Sequence, residues 1–550
     1  MTQASYEVVI IGSGATGGIA ALTFAEAGNK VLVIEAGPNF SPKDAIGSEP
    51  LNSYKRVSGV ISGTKRIQAQ HPGFWKSNPS LYLNEKENPY SYPKNKPFLW
   101  TQGRQVGGRS LTWGGITLRL SQNEFKPVYS DQIGTEWPID YKDLEPHYSV
   151  IEKRLNVHGN KDGLIQIPDG IYKKPLNFTT AEINFKNELA KKFEYPFIHS
   201  RGFGPHNPNN KYWPKSSSLG GTLGWALRTG KVELLSNHMA EYLTMSKANN
   251  SANGVIVVNQ INGERKRISA SVIIICASTI QTLRLLLCSE RNHCKDGFHD
   301  PSGLLGKKIM DHLSICRFFK VNRLNKISST ELNYEDKVLS GAGSFFVPLG
   351  SKFKTNISQD FLGGYGIWGG INRFNQPQLL QKSMNFDIGF LIAHGEVLPS
   401  LNNYVKISDL SDKWSIPAPH ISFTWQDNEI KMASHMRKTI EEIIDAGGGE
   451  ILNLKEIIKV PFMEKFISEA VALNDDVPPP GYYIHELGGA PMGTSENTSV
   501  VDKFNRLWRC KNVLVVDGSC WPTSGWQSPT LTMMAITRRA CLKALNLLGE

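Results

Sequence analysis

A glycine-rich turn near the start of the chain stands between an apolar run and a helical pattern. The run Glu7–Ile11 predicts a buried strand, Ile19–Ala27 predicts a helix, and Val31–Ile34 predicts a second buried strand. Two parallel strands joined through a helix form a βαβ unit. The sequence therefore predicts an α/β fold that begins with a Rossmann-type unit.

The turn has the spacing Gly12-x-Gly14-x-x-Gly17 that is typical of dinucleotide-binding turns. Its glycines permit a tight turn and a close approach to a pyrophosphate, which the helix N-terminus then faces. Glu35 ends the second strand, where a carboxylate accepts hydrogen bonds from an adenosine ribose. A turn without a ligand and an ordinary surface carboxylate are the alternatives. The predicted nucleotide contacts also include Ala15, Thr16 and Ala36.

Length and charge narrow the classes of protein that fit. The 550 residues, of which 40% are hydrophobic and 20% charged, are too many for one ordinary core. The formal net charge of +11 comes from scattered Lys and Arg residues rather than from a basic block. We therefore expect a globular chain of two domains and no nucleic-acid partner.

The seven cysteines form neither a CxxC pair nor a Cys/His metal spacing, which indicates a reducing compartment and no bound metal. No stretch reaches the roughly 18 uninterrupted apolar residues that a membrane helix needs. The first residues lack the pattern of a secretory signal. The sequence thus predicts a cytoplasmic protein without a membrane span.

Further predicted strands lie far along the chain from the first unit. Val272–Ile275 predicts a buried strand, followed by a helix over Thr279–Leu287. Asn512–Val516 predicts one more strand, before a helix over Pro529–Leu548. Residues 320–430 alternate in the manner of an antiparallel sheet. This order predicts a nucleotide-binding sheet assembled from separated pieces, with a β-rich domain inserted.

Segments along the whole chain resemble the glucose-methanol-choline (GMC) oxidoreductase family. Val31–Gly37 is similar to the family's FAD-binding start, and Gly103–Gly115 to its second glycine motif. Similar internal segments are Trp137–Leu144, Gly306–His312 and Glu396–Asn403. The C-terminal segments that resemble the family's active site are His485–Gly493, Val515–Ser519 and Ser528–Thr532.

The resemblance implies a Rossmann-type FAD-binding domain of the glutathione-reductase kind with an inserted substrate domain rich in β-sheet. The expected FAD-binding domain comprises residues 1–155, 215–318 and 480–550. The expected substrate domain comprises residues 156–214 and 319–479. Beyond the first turn, the implied FAD contacts are Arg104, Gly107, Gly108, Ser110, Thr112, Trp113, Gly114, Ala277, Asp517, Gly518, Ser528, Pro529 and Thr530.

The implied catalytic base is His485. Oxidation of an alcohol removes a hydroxyl proton and a hydride, and histidine suits proton acceptance near neutral pH. A hydrogen-bonded core histidine is the alternative. Where the family usually has Asn or His as the partner of the base, this chain has Ser528. Because serine is short, either the substrate oxygen comes closer, or a water intervenes, or Gln527 turns inward.

The residues after Gln527 predict a helix that begins at the flavin. Ser528 suits the N-cap position and Pro529 the first helical position. If this helix folds back onto the flavin, its positive end stabilises negative charge on the reduced ring.

Two positions depart from the pattern of the family. The pyranose-oxidase-like branch, which residues 106–108 resemble, attaches its flavin to a histidine at the position of Thr112. Because threonine cannot form that bond, we expect noncovalent FAD. Ser278 replaces a glycine that usually ends a family strand, so a backbone contact to the cofactor is expected to shift there.

The predicted activity is that of an FAD-dependent dehydrogenase or oxidase that transfers hydride from an alcohol, polyol or sugar to flavin N5. Resemblance to the pyranose branch and aromatic residues such as Tyr365 and Trp368 favour a sugar, although aromatic residues are more commonly core. The electron acceptor stays open among oxygen, a quinone and a redox protein. A non-redox lyase or isomerase and a catalytically silent FAD-binding protein are the alternatives.

Overall fold

Two large sheets form the framework of the protein in a computed structural model, which describes residues 5–127, 136–206, 212–246, 251–293, 298–323, 334–350, 359–373, 385–452 and 477–548. The strands are β1 Ser5–Ile11, β2 Val31–Ile34, β3 Ile198–His199, β4 Val232–Leu235, β5 His238–Met245, β6 Ala252–Asn259, β7 Arg265–Ile275, β8 Leu313–Asn322, β9 Phe345–Gly350, β10 Tyr365–Ile371, β11 Phe386–Gly395, β12 Tyr404–Ser411, β13 Pro417–Ser422, β14 Gly449–Ile451, β15 Arg506–Leu507 and β16 Cys510–Val515.

The helices fall mostly between these strands. The α-helices are α1 Ala15–Glu26, α2 Pro42–Ile46, α3 Glu49–Ile61, α4 Pro72–Lys76, α5 Gln122–Phe125, α6 Tyr141–Leu155, α7 Thr180–Lys192, α8 Thr222–Arg228, α9 Thr279–His293, α10 Tyr334–Lys337, α11 Asp427–Ala446 and α12 Thr530–Ala544. The 3-10 helices are Gln68–Gln70, Pro79–Leu81, Gly108–Leu111, Gly518–Cys520 and Leu545–Leu548.

The first sheet is assembled from separated pieces of the chain, as the sequence predicts. Its eight strands have the order β15-β16-β7-β1-β2-β4, and β6 and β5 join through β7. β1 lies between β2 and β7 and is parallel to both. Its side chains divide between two cores, with Val9 and Ile11 on one face and Val8 and Ile10 on the other. A parallel strand that is covered on both faces in this way has a continuous run of apolar residues in its sequence.

The second sheet has six strands in the order β14-β8-β11-β10-β9-β3. α11 covers one face, where a Cβ at Gly395 would meet Met432 and Met436. Because side chains alternate along a strand, residues next to Gly395 on β11, such as His394, point to the opposite face. That face turns towards the cavity described below. The β-rich region predicted between the pieces of the first sheet is therefore confirmed.

The C-terminal helix begins one residue later than the sequence predicts. Pro529 is the N-cap and not the first helical residue, because its carbonyl accepts the first helical hydrogen bond, from Met533 N at 2.9 Å. The prediction that Ser528 caps the helix is therefore wrong. No side chain caps this helix, and the backbone of Pro529 has φ −79° and ψ −18°.

Two further properties concern the described ranges as a whole. Within them, no helix combines the length and the apolar character that crossing a membrane requires. No group of three or more His, Cys, Asp or Glu side chains in the same ranges is arranged to hold a metal ion.

The first turn offers a matched pair of substitutions for testing the fold. A Cβ at Gly17 would lie 2.0 Å from the carbonyl oxygen of Gly12, whereas a Cβ at Gly14 would meet no atom within 4 Å. We expect Gly17→Ala to lower the free energy of unfolding by about 3 kcal/mol, the upper range for an overpacked site. Gly14→Ala should leave it within about 0.5 kcal/mol of the parent. Urea unfolding curves of the two variants without added cofactor measure this difference, and equal curves would contradict it.

Candidate active site

A cavity of about 960 Å³ opens at the carboxyl ends of the parallel strands of the first sheet. Its lining includes the residues directly after β1, β2 and β7, namely Gly12, Glu35 and Cys276, and Asp517, the second residue after β16. The crevice at the carboxyl ends of such strands is the usual ligand site of open α/β sheets. The second sheet closes the other side of the cavity through residues of β8, β10 and β11.

Most residues predicted to contact a flavin line this cavity. They are Gly12, Gly14, Ala15, Thr16, Glu35, Ala36, Arg104, Gly108, Ser110, Thr112, Trp113, Gly114, Ala277, Asp517, Gly518, Ser528, Pro529 and Thr530, together with His485. The segments that carry them are far apart in the chain, so the fold brings together what the motifs indicate separately.

Three of the predicted residues do not line the cavity but lie behind residues that do. Gly17 packs against the backbone of Gly12, and Gly107 donates its N–H to Ser13 Oγ at 3.0 Å. Gln527 is fully buried, and its side-chain amide donates to the carbonyl of Gln166 at 3.0 Å. Both glycines therefore support the turn from behind, and Gln527 does not turn towards the cavity.

Two buried carboxylates flank the pyrophosphate-type turn. Glu35 accepts hydrogen bonds from the N–H of Ser13 at 3.2 Å, from Ser13 Oγ at 2.5 Å and from the N–H of Gly37 at 2.9 Å. Asp517 accepts from Thr282 Oγ1 at 2.5 Å and from Ser519 Oγ at 2.6 Å. Burial raises the pKa of both carboxyl groups, and the hydrogen bonds oppose that rise. Such groups, already oriented by the protein, suit contacts to ribose or ribityl hydroxyls.

The space next to Gly14 shows whether the site has room for a dinucleotide. With no atom within 4 Å of a Cβ there, the first turn of α1 faces the cavity without an obstructing side chain. A helix N-terminus exposed in this way is an anion site. The lining therefore fits the pyrophosphate of FAD, with Glu35 and Asp517 on either side.

His485 is hydrogen-bonded to a second histidine. The Nδ1 atoms of His485 and His312 lie 2.9 Å apart, and Nε2 of His312 lies 2.9 Å from the carbonyl oxygen of Gly525. Burial lowers the pKa of His312 to about 4, so this ring is neutral near pH 7. Burial, and then the neighbouring His312, His394 and Arg109, lower the pKa of His485 well below 6.5.

These contacts determine where the protons lie on both rings. The carbonyl oxygen of Gly525 can only accept a hydrogen bond, so Nε2 of His312 carries a proton. In the neutral ring the other nitrogen, Nδ1, is then an acceptor. Nδ1 of His485 must donate to it, which leaves Nε2 of His485 unprotonated. The residue that lines the cavity is thus a neutral histidine with a free basic nitrogen.

Asp311 holds the backbone of both histidines. Its carboxylate accepts hydrogen bonds from the N–H groups of His312 at 2.8 Å, Gly481 at 2.9 Å and His485 at 2.9 Å. Burial, and then the charge of Glu486, raise the pKa of Asp311 to about 7, while the three hydrogen bonds oppose the rise. A buried carboxylate that receives three backbone donors keeps the His485 loop in place.

Arg109 joins three of the segments around the cavity. Its guanidinium donates to the carbonyl of Ile484 at 3.1 Å, to Glu486 at 2.7 Å and to Ser278 Oγ at 2.9 Å. Ile484 and Ser278 both have left-handed backbone angles, with φ of +63° and +76°. A β-branched residue such as Ile484 rarely adopts that conformation. Arg109 therefore holds two strained residues, one of them directly before His485.

Sequence reasoning missed Asp311, His312 and Arg109 as functional residues. The signal was present, because the first two end the family-like segment Gly306–His312 and Arg109 lies inside the second glycine motif. The contact between His312 and His485 could not be inferred from the sequence, because 173 residues separate the two. Of the two aromatic residues considered for a sugar, Trp368 lines the cavity. Tyr365 is instead fully buried and bonded to His435 and Thr439.

The fold and the cavity place the protein in the class of Rossmann-type flavin-binding enzymes that have a separate sheet for the substrate. The chain belongs to the GMC oxidoreductase family, because the family's N-terminal model matches residues 6–314 and its C-terminal model residues 399–537. Members of this family bind FAD, and the chain is an oxidoreductase of this type. The family predicted from the sequence is thereby confirmed.

Individual relatives match over nearly the whole chain. The 2-methyl-1,2-propanediol dehydrogenase of Mycolicibacterium austroafricanum is 25% identical, over 97% of this chain and 94% of its own. The fructose dehydrogenase large subunit of Gluconobacter japonicus is 24% identical, over 98% of each chain.

Solved structures show the same fold. Pyridoxine 4-oxidase from Mesorbium loti superposes with a TM-score of 0.59 at 15% identity, covering 98% of this chain and 99% of that one. A formate oxidase variant of Aspergillus oryzae RIB40, studied for FAD modification, has a TM-score of 0.65 at 16% identity and covers 99% of both chains.

Strain at Ser278 predicts a difference between two substitutions. Both Ser278→Gly and Ser278→Ala remove the hydrogen bond from Arg109, but only glycine accepts a φ of +76° without cost. The glycine variant should therefore be more stable than the alanine variant by about 1 kcal/mol. Thermal unfolding of the pair checks this, and an alanine variant at least as stable would show that residue 278 is not strained.

Proposed function

We propose that His485 is the base that takes the hydroxyl proton from an alcohol, polyol or sugar while FAD accepts the hydride. The observation that supports this role most directly is the contact between the Nδ1 atoms of His485 and His312, which leaves Nε2 of His485 free to accept a proton. Depression of the pKa of His485 keeps that nitrogen unprotonated at neutral pH. The names of the relatives, a propanediol dehydrogenase, a fructose dehydrogenase and a paromamine 6'-oxidase, support an alcohol or sugar substrate.

FAD, when bound, supplies the hydride acceptor. The residues proposed to hold it are the α1 turn, Glu35 and Asp517 at its hydroxyl groups, and the 3-10 helix that includes Ser110. The positive end of α12 faces the cavity through Pro529 and Thr530, and favours negative charge there. Ser528, whose hydroxyl does not cap α12, lines the cavity and orients the substrate oxygen opposite His485.

FAD is proposed to be bound noncovalently. Thr112 lines the cavity where a related branch has its histidine attachment, and a threonine hydroxyl cannot make that bond. We also propose an FAD-binding domain of residues 1–155, 215–318 and 480–550 and a substrate domain of residues 156–214 and 319–479. The two separate sheets support this division, except that its boundary at residue 318 falls inside β8. A cytoplasmic location is supported by the six cysteines within the described ranges, all of which are buried and free.

A non-redox activity is less well supported than alcohol oxidation. The relatives carry the names of dehydrogenases and oxidases rather than lyases. A silent FAD-binding protein would have no need to keep a half-buried histidine neutral and oriented by a second one.

Substitution of His485 tests the proposed base. In anaerobic solution, an alcohol substrate should bleach the flavin band near roughly 450 nm in the parent protein. His485→Gln should still bind FAD but slow this reduction by about 100- to 10,000-fold, as expected for loss of a general base. In the parent, protonation of His485 should not lower the rate as the pH falls from about 8 to 6.5, because its pKa lies below that range. A change of rate near pH 7 would instead report protonation of Asp311, whose pKa burial raises to about 7. A variant that reduces its flavin at the parent rate would refute the role.

His312 is the positioning residue in this proposal, and two variants separate position from packing. His312→Leu removes the acceptor for Nδ1 of His485 and should slow flavin reduction at least about 10-fold, because the wrong tautomer then becomes populated. His312→Asn offers a carbonyl oxygen to Nδ1 and an amide N–H to Gly525, and should recover most of the rate. FAD affinity should be the same in both. If the leucine and asparagine variants react equally fast, His312 does not orient the base.

A further inference from the structure

The cavity face of the second sheet consists of rows of side chains in register. Cys316 of β8 pairs with Ile392 of β11, which pairs with Trp368 of β10. In the next row, Phe318 pairs with Phe390. All five line the cavity. Paired residues of neighbouring strands share a face, so these two rows form one continuous wall, which we call the apolar wall.

In the row on the other side of Cys316, aromatic side chains cover two of the three residues. This row contains Ser314, His394 and Gly366. Trp526 covers Gly366, where a Cβ would lie 2.2 Å from its ring, and Tyr483 stacks on His394 with ring centroids 5.3 Å apart. Of this row only Ser314 lines the cavity, so among the described residues the apolar wall and Ser314 are the parts of the second sheet that a ligand can contact.

The apolar wall offers few hydrogen bonds to a ligand. Burial raises the pKa of Cys316 to about 12, so its thiol is neutral, and the indole N–H of Trp368 donates to Tyr483 Oη at 3.0 Å. Among the described residues, the charged side chains that line the cavity are all outside the second sheet: Glu35, Lys76, Arg104, Arg109, Glu486 and Asp517. A sugar or polyol bound here would leave several of its hydroxyl groups facing hydrocarbon.

We propose that the substrate is an alcohol with an apolar or aromatic body, which packs on the apolar wall and presents one hydroxyl group to His485. This inference rests on the proposed function and narrows its substrate class. Each hydroxyl buried without a partner disfavours binding, so polyols lose affinity with every additional hydroxyl group. Aromatic rings of Trp368, Phe318 and Phe390 favour flat or branched apolar groups.

A matched panel of alcohols tests the substrate class. Anaerobic reduction of the FAD-loaded protein is followed with benzyl alcohol, hexan-1-ol, xylitol and glucose. The apparent second-order rate constant for benzyl alcohol or hexan-1-ol should exceed those for xylitol and glucose by at least about 100-fold. The reason is that two or more hydroxyl groups of xylitol or glucose would be buried without a hydrogen-bond partner, and each of them disfavours binding. An equal or higher constant for xylitol or glucose would overturn the inference and leave the proposed alcohol oxidation standing. Failure of all four to bleach the flavin would count against both.

Two substitutions of nearly equal size test the apolar wall itself. Ile392→Val and Ile392→Thr remove the same methyl group, and differ in that threonine places a hydroxyl on the wall. The threonine variant should have a kcat/KM for hexan-1-ol about 10-fold below that of the valine variant, with a much smaller difference for ethanol, which is too short to cover the wall. Equal values for hexan-1-ol in the two variants would show that the substrate body does not lie on Ile392.

Discussion

The carbonyl oxygen of Gly525 can only accept a hydrogen bond, and the state of the candidate base follows from that one restriction. It assigns the proton of His312 to Nε2, makes Nδ1 of His312 an acceptor, and so assigns the proton of His485 to its own Nδ1. In water neither tautomer of a histidine is strongly excluded. Here the choice is made by a backbone group two rings away, and burial keeps both rings neutral.

The same small region accepts strain to hold this arrangement. Ile484 has a left-handed backbone directly before His485. Arg109 and Asp311 hold the peptide group that joins the two residues, through the carbonyl oxygen of Ile484 and the N–H of His485. Strained residues of this kind persist where the surroundings restrict them from several directions. Ser278, three residues after β7, is strained in a similar way and is bonded to the same arginine. One guanidinium therefore connects the second glycine motif, the end of a parallel strand and the loop of the base.

The sequence predicts local features of this protein well and its long-range contacts poorly. The run after Glu7, the turn at Gly12 and the strand before Glu35 are consecutive, so their chemistry predicts one βαβ unit, and the structure has it. The C-terminal helix was predicted one residue early, because a proline suits both the N-cap and the first turn. The orientation of His485 could not be predicted, since it depends on a histidine 173 residues away. Tyr365 and Trp368 look alike in sequence, and only the faces of β10 distinguish core from cavity.

The segment from Gly525 to Thr530 contributes to both halves of the proposed reaction. Its first residue orients the histidine pair, and its last three residues bring the start of α12 to the cavity. Proton removal and stabilisation of charge on the cofactor therefore share one short piece of backbone. A change that moves this piece alters both together, so natural variants of the chain cannot tune the strength of the base and the electrostatics of the cofactor independently here.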